Sequence, residues 1–181
     1  MEKLQGIEAL AAAVSDRRLP PVDEWNPPYC GDSEIRIAAD GSWFHQGSPI
    51  HRPALVRLFS SILRREADGS HVLVTPAEKL SVEVDDAPFV ATMAETSGTG
   101  RARRIALRLN TGDALFAGPE HRLRVEQGAD GPRPYVEVRR GLDALIARPA
   151  YYDLAQWALE EGGNPPGLWS DGCFFAMGDE A

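Results

Sequence analysis

The sequence predicts an α+β fold made of two small strand-and-helix units with repeated motifs. Short stretches of alternating apolar and polar residues dominate it, two amphipathic segments each open on Arg-Pro-Ala, and Asp85-Asp86-Ala87-Pro88 divides the strands into two sets. A chain of 181 residues buries enough surface for a core that needs neither metal nor disulfide. The expected boundaries are an N-terminal helix in residues 1–19, a first domain over 20–87 and a second over 88–181.

Leu4, Ile7, Leu10, Ala11 and Val14 recur at helical spacing and support the first element. Pro20-Pro21 and Pro27-Pro28 then force an extended arm, which Trp25 and Tyr29 are expected to pin to the body. Ile35 and Ile37 alternate with polar residues up to Asp40-Gly41, and Trp43-Phe44 follow, the pattern of a hairpin. Pro53 suits a first helical position, and Leu55, Leu58, Phe59, Ile62 and Leu63 form one apolar stripe behind it. Arg57 and Arg64 fall opposite that stripe, in solvent, while Arg65 lies on its flank within reach of a domain seam. Residues 72–74 and 80–84 read as strands around Thr75-Pro76-Ala77-Glu78. Beyond the break, residues 89–96, 105–109, 114–116, 123–125 and 135–138 read as short strands joined by turns such as Asn110-Thr111-Gly112-Asp113. A second helix opens at Arg148-Pro149-Ala150, with Leu154, Trp157, Ala158 and Glu161 where its core stripe fades. Its triplet echoes Arg52-Pro53-Ala54, and Val136-Glu137-Val138 echoes Val82-Glu83-Val84, which suggests a duplicated unit although the two echoes do not share a register.

Several chemistries are disfavoured. A net charge of −8 argues against a nucleic-acid polymer as partner, because such affinity comes from neutralising phosphates. The densest basic stretch, Arg101 to Arg108, reads as a strand with Ile105, Leu107 and Leu109 inward and Arg104 and Arg108 solvated. An N-terminus without an apolar h-region, and no run of about 18 apolar residues, point to a cytoplasmic protein off the membrane. Cys30 and Cys173 form no metal-type pair, and His45, His51, His71 and His121 lack zinc spacing, so no metal or other cofactor is expected. Ser97-Gly98-Thr99-Gly100-Arg101 lacks the ending of a P-loop and leads into a strand, which makes it a hairpin loop. Glu78, Glu83, Asp85 and Asp86 together have the chemistry for a cation or a general base, but turn formation explains Asp85-Asp86 better. No Gly-x-Ser-x-Gly elbow supports a nucleophile. What remains is Arg52 and Arg148, each beside a helix start where free N–H groups favour an anion, unless each simply pairs with a nearby carboxylate.

Trp25-Asn26-Pro27, Asp40-Gly41-Ser42-Trp43-Phe44, Leu55-Val56-Arg57-Leu58-Phe59, Val74-Thr75-Pro76-Ala77-Glu78-Lys79 and Asp86-Ala87-Pro88-Phe89 occur in order along the chain. Pro134-Tyr135-Val136-Glu137-Val138-Arg139, Tyr151-Tyr152-Asp153-Leu154 and Trp169-Ser170-Asp171-Gly172 follow. Together they resemble an uncharacterised bacterial family, domain of unknown function 1285, from Pro20 to Gly178. That resemblance implies two domains with repeated motifs, the second loosely like a pleckstrin-homology unit. It also implies a ligand site between the domains, for a nucleotide-type molecule, and a role in signal transduction with a signalling protein as partner. It supplies no catalytic residues.

The sequence reading is therefore a non-enzymatic ligand-binding module. Arg52, Lys79 and Arg139 are the expected phosphate contacts, Thr75 and Glu78 the contacts to sugar hydroxyls, and Trp43 or Tyr152 the ring that stacks on a base. The alternatives are an interaction adaptor without a small ligand, docking through its arm or a sheet edge, and a cation-dependent enzyme using the acidic group.

Overall fold

The computed structural model describes residues 19–177. The expected N-terminal helix, apart from Leu19, lies outside the described residues. An arm of residues 19–28 leads into β1 (Tyr29–Ile37), β2 (Trp43–His45) and β3 (Ser48–Pro49), then α1 (Pro53–Ser61), β4 (Leu63–Arg65), β5 (His71–Val74) and β6 (Lys79–Val84). After four linking residues come β7 (Phe89–Ser97), β8 (Arg104–Leu109), β9 (Ala114–Phe116), β10 (Leu123–Gly128), β11 (Gly131–Arg139) and β12 (Leu142–Ile146). Helix α2 (Arg148–Glu161) and the hairpin of β13 (Gly167–Ser170) and β14 (Cys173–Ala176) complete the chain as described.

Both large sheets have six strands and the same wiring, with orders β3-β2-β1-β6-β5-β4 and β10-β11-β12-β7-β8-β9. Each consists of two antiparallel three-stranded meanders joined by one parallel pairing, β1 with β6 and β7 with β12. The repeated motif is this topology. Neither tripeptide echo marks it. Arg52-Pro53-Ala54 opens a helix between the third and fourth strands, whereas Arg148-Pro149-Ala150 opens one after the sixth. Val82-Glu83-Val84 lies on a sixth strand and Val136-Glu137-Val138 on a fifth.

Alternation explains most strands: Ile35 and Ile37 on β1, and Leu142, Ala144 and Ile146 on β12, are buried between less buried neighbours. Strand β8 departs from it because Ala106 packs on Ala114 and Phe116 while Ile105 and Leu107 face the main core. That core runs through both units, joining Ile35, Trp43, Leu63 and Leu73 to Phe89, Leu107, Val136 and Leu154. The seam between the sheets is therefore filled by side chains of both.

The first helix is shorter than its stripe implies. It stops at Ser61, and Leu63 instead pairs with Leu73 as the edge strand β4, where it is fully buried. Leu58 is 57% exposed, so the inward face is carried by Val56, Phe59 and Ser60. On α2 the buried positions are Ala150, Leu154 and Ala158 at four-residue spacing. Glu161 ends that helix by accepting from the Gly100 N–H at 2.9 Å and from Arg103 Nε at 2.7 Å. The arm is held by its carbonyls more than by its rings. Arg64 Nη1 donates to Val22 O and Trp25 O, each at 2.8 Å, whereas Tyr29 is 60% exposed. No helix among the described residues is long and apolar enough to cross a membrane.

Candidate functional site

Two polar crossings set the seam. At one end Asn110, in the β8–β9 turn, accepts from the Val90 N–H at 3.1 Å and donates to Gly41 O at 3.2 Å, fixing the β1–β2 hairpin to the second unit. At the other, Arg65 Nη1 donates to Gly141 O at 3.0 Å and Arg139 donates to Ser60 O. The linker is gripped from both sides. Asp85 pairs with Arg36 of β1, while Asp86 accepts from the Tyr135 hydroxyl at 2.9 Å. Asp86 Oδ2 also lies 2.7 Å from Arg133 Nη2, an ionic contact whose angle falls outside hydrogen-bond geometry. Burial, and then Asp86, push the Tyr135 hydroxyl above its ordinary pKa. These pairings take apart the acidic group seen in the sequence, and no three His, Cys, Asp or Glu among the described residues converge as for a metal.

A groove opens beside each crossing. The arm groove, of about 380 Å³, is walled by Leu19 to Asp23, floored by Leu63 and Leu142, and bordered by Arg64, Arg65, Arg139 and Arg140. Each of these arginines has a partner. Arg64 holds the arm carbonyls and pairs with Glu66, Arg65 and Arg139 cross the seam as above, and Arg140 pairs with Asp23. Arg139 also lies over the Phe89 ring, 5.3 Å from its centroid.

The hairpin groove is larger, about 420 Å³, and draws on both units. Gly41 to Phe44 and Pro49 to His51 form one side, Pro53, Val56 and Arg57 of α1 the floor, and Asn110 to Gly112 the far rim. Two features there are unmet. Arg57 is half-buried, and its guanidinium has no hydrogen bond or ion pair among the described residues. Trp43 is 2% exposed and stacked on Phe59 at 6.4 Å, and its indole Nε1 is buried without a hydrogen-bond partner among the described residues. Arg52 occupies the N-cap of α1, exposed, between the lining residues His51 and Pro53, and adds no side-chain cap.

Of the residues expected to share one site, Trp43 lines the hairpin groove and Arg52 stands at its rim, but the others lie elsewhere. Arg139 belongs to the arm groove. Thr75, Glu78 and Lys79 sit at the β5–β6 turn, where Thr75 Oγ1 accepts from the N–H groups of Ala77 at 3.3 Å and Glu78 at 3.2 Å. Lys79 Nζ is 3.2 Å from Glu66. Burial raises the Glu66 carboxyl, but Arg64 and Lys79 overcome it and hold the group below its ordinary pKa. Tyr152 is 63% exposed on α2, against Tyr151. Sequence reasoning missed Arg57 and Asn110. A helical wheel drawn through Leu63 turns Arg57 to solvent, and the local pattern marks Asn110 only as a turn residue.

Residues 20–87 match the family described as Domain of unknown function (DUF1285), N-terminal domain, and residues 88–177 its C-terminal domain. The chain belongs to the DUF1285 family. A crystal structure of a DUF1285 family protein from Silicibacter pomeroyi DSS-3 is 47% identical, with a TM-score of 0.82 over 94% of this chain and 93% of that one. Another, from Shewanella baltica OS155, is 25% identical, with a TM-score of 0.53 over 71% of this chain and 92% of that one. No curated protein matches.

Proposed function

We propose that this DUF1285 chain is a non-enzymatic ligand-binding module whose ligand, an anionic molecule of nucleotide type, lies in the hairpin groove between the domains. The observation that carries the reading is Arg57, half-buried on the groove floor, whose guanidinium has no counter-ion among the described residues of a chain with net charge −8. A charge withdrawn from water and left unpaired is costly, and an anionic ligand offsets that cost. Arg52 at the rim adds a second cation beside a helix N-terminus. Phe44, Ile50 and Val56 offer apolar walls to a flat ring. About 420 Å³ suits a small molecule.

Around this core the finer reading is a bacterial signalling role, with a signalling protein as a further partner. The second domain is read as pleckstrin-homology-like, supported by one long helix that follows its last sheet strand and packs on β7. Two free cysteines support a reducing, cytoplasmic setting.

The test is a thermal-shift screen of nucleoside mono-, di- and triphosphates, with inorganic phosphate alongside. A ligand at 100 times its dissociation constant stabilises the fold by about 2.7 kcal/mol. A charge-assisted contact is worth about 1.5–3 kcal/mol, so Arg57→Gln weakens binding by roughly ten- to a hundredfold. Arg52→Ala acts in the same direction. Absence of any stabilising nucleotide or phosphate, or unchanged affinity in folded Arg57→Gln, overturns the reading.

A further inference from the structure

The arm groove differs from the hairpin groove in chemistry, and the chain's own arm shows what it accepts. Pro20-Pro21 lead into a turn in which the Val22 N–H donates to Pro20 O at 2.8 Å and the Glu24 N–H to Pro21 O at 3.0 Å. Three parts of this segment are read by the body. The carbonyls of Val22 and Trp25 accept from one guanidinium, that of Arg64. The Val22 side chain, 6% exposed, lies along the groove floored by Leu63 and Leu142. The Asp23 carboxylate pairs with Arg140 of the second domain.

Peptide-docking grooves take affinity from main-chain hydrogen bonds and specificity from side-chain pockets, and the arm engages the body through both. We propose that the arm groove is a docking site for a proline-led acidic segment of a partner protein, with the arm's Pro20 to Asp23 occupying its recognition groups in cis. This rests on observations independent of the hairpin groove.

Two further features point the same way. Arg140 and Gly141 form a two-residue turn between β11 and β12, with φ of 44° and 76°. Such a turn favours Asn-Gly or Gly-Gly, and an arginine at its first position is strained. The strain is tolerated where the guanidinium is needed, and here it reaches the arm. In addition, Asp23 is the one acid among the described lining residues, against Arg64, Arg65, Arg139 and Arg140, so the groove complements an acidic segment. The latch is also releasable: Arg140 and Asp23 are 64% and 39% exposed, and such ion pairs are weak and screened by salt.

The experiment titrates a fluorescent peptide of residues 19–26, Leu-Pro-Pro-Val-Asp-Glu-Trp-Asn, into the full chain. Binding is weak to the unaltered protein, where the arm competes, and about tenfold tighter to Asp23→Asn, whose own latch is weakened. It returns to the weak level in Asp23→Asn/Arg140→Gly, because the cation is gone while the turn is relieved and the fold retained. A peptide with Asn in place of its Asp loses the gain. In parallel, hydrogen exchange at Val22 and Glu24 quickens in Arg140→Gly alone. Equal peptide binding to all three proteins, or indifference to the peptide's acid, refutes the site. Concentration-dependent dimerisation of Asp23→Asn by sedimentation makes the occupant a second copy's arm and overturns the partner-protein assignment.

Discussion

Replacing Gly41 by Ala tests whether the two domains are set against each other as described. Gly41 has φ of +85°, and a Cβ built on it lies 2.5 Å from Asn110 Nδ2 and 2.9 Å from Val90 Cγ2, both of the second domain. Gly112 is the internal control, since its φ is +89° and nothing lies within 4 Å of its Cβ. Both substitutions incur left-handed backbone strain, about 1–2 kcal/mol. Gly41→Ala alone also forces Asn110 aside, adding overpacking of about 1–3 kcal/mol. It disrupts the Asn110-to-Gly41 hydrogen bond as well, worth about 0.5–1.5 kcal/mol. Urea unfolding of the full chain is therefore expected to show a loss of about 3–6 kcal/mol for Gly41→Ala against about 1–2 kcal/mol for Gly112→Ala. Equal losses in the two variants would mean that the hairpin does not meet the Asn110 turn, and the hairpin groove would lose its far rim.

Phe59→Ala removes the half-buried ring stacked on Trp43, and an unfolding titration should register about 2–3 kcal/mol, below the 3–5 typical of a fully buried Phe. A neutral result would detach α1 from the core. The fully buried Ser170 hydroxyl accepts from the Ile105 N–H at 2.9 Å and donates to Ala117 O at 2.7 Å. Ser170→Ala leaves both backbone groups unmet, with an expected loss of about 2–4 kcal/mol by the same measurement; retention of wild-type stability would contradict the bonding. Burial, and then Arg65, hold the His71 imidazole below its ordinary pKa, against the opposing effect of Asp143. A depressed folded-state value contributes stability that is full above the unfolded value near pH ~6.5 and is lost as pH falls through the folded one. His71→Asn should flatten the stability profile in that acid window, and an unchanged slope would assign the loss to other groups.

Local chemistry makes much of the fold legible in advance. Asp40-Gly41 stops one strand and starts the next because glycine takes the positive φ and the aspartate carboxylate accepts from the Ser42 N–H at 2.9 Å. Pro53 opens a helix because its missing N–H is unneeded there, and Ile105 and Leu107 mark a strand turned inward. The outward arginines of β8 are equally readable: Arg104 and Arg108 are exposed, and Arg104 rests over the Phe116 ring at 4.1 Å. The candidate site was visible only in fragments. Trp43 and Arg52 are identifiable by type, but their relation to Arg57 and Asn110 depends on residues that the chain separates widely.

Backbone preference and apolar spacing over a few residues are enough to mark most of the strands, the starts of both helices, the break at Asp85–Pro88 and the chemistry on offer. The end of α1, the fate of Leu63 and the strands β4 and β12 were decided by pairing across the sheets. A buried Leu63 opposite Leu73 outweighs one more helical turn, and no local pattern encodes that partner. The common wiring of the two sheets is likewise tertiary, resting on two parallel pairings between strands far apart in the chain. So is the division of the arginines. Whether a guanidinium is committed, as in Arg64 and Arg140, or without a partner among the described residues, as in Arg57, depends on which carbonyls and carboxylates the fold brings within hydrogen-bonding distance.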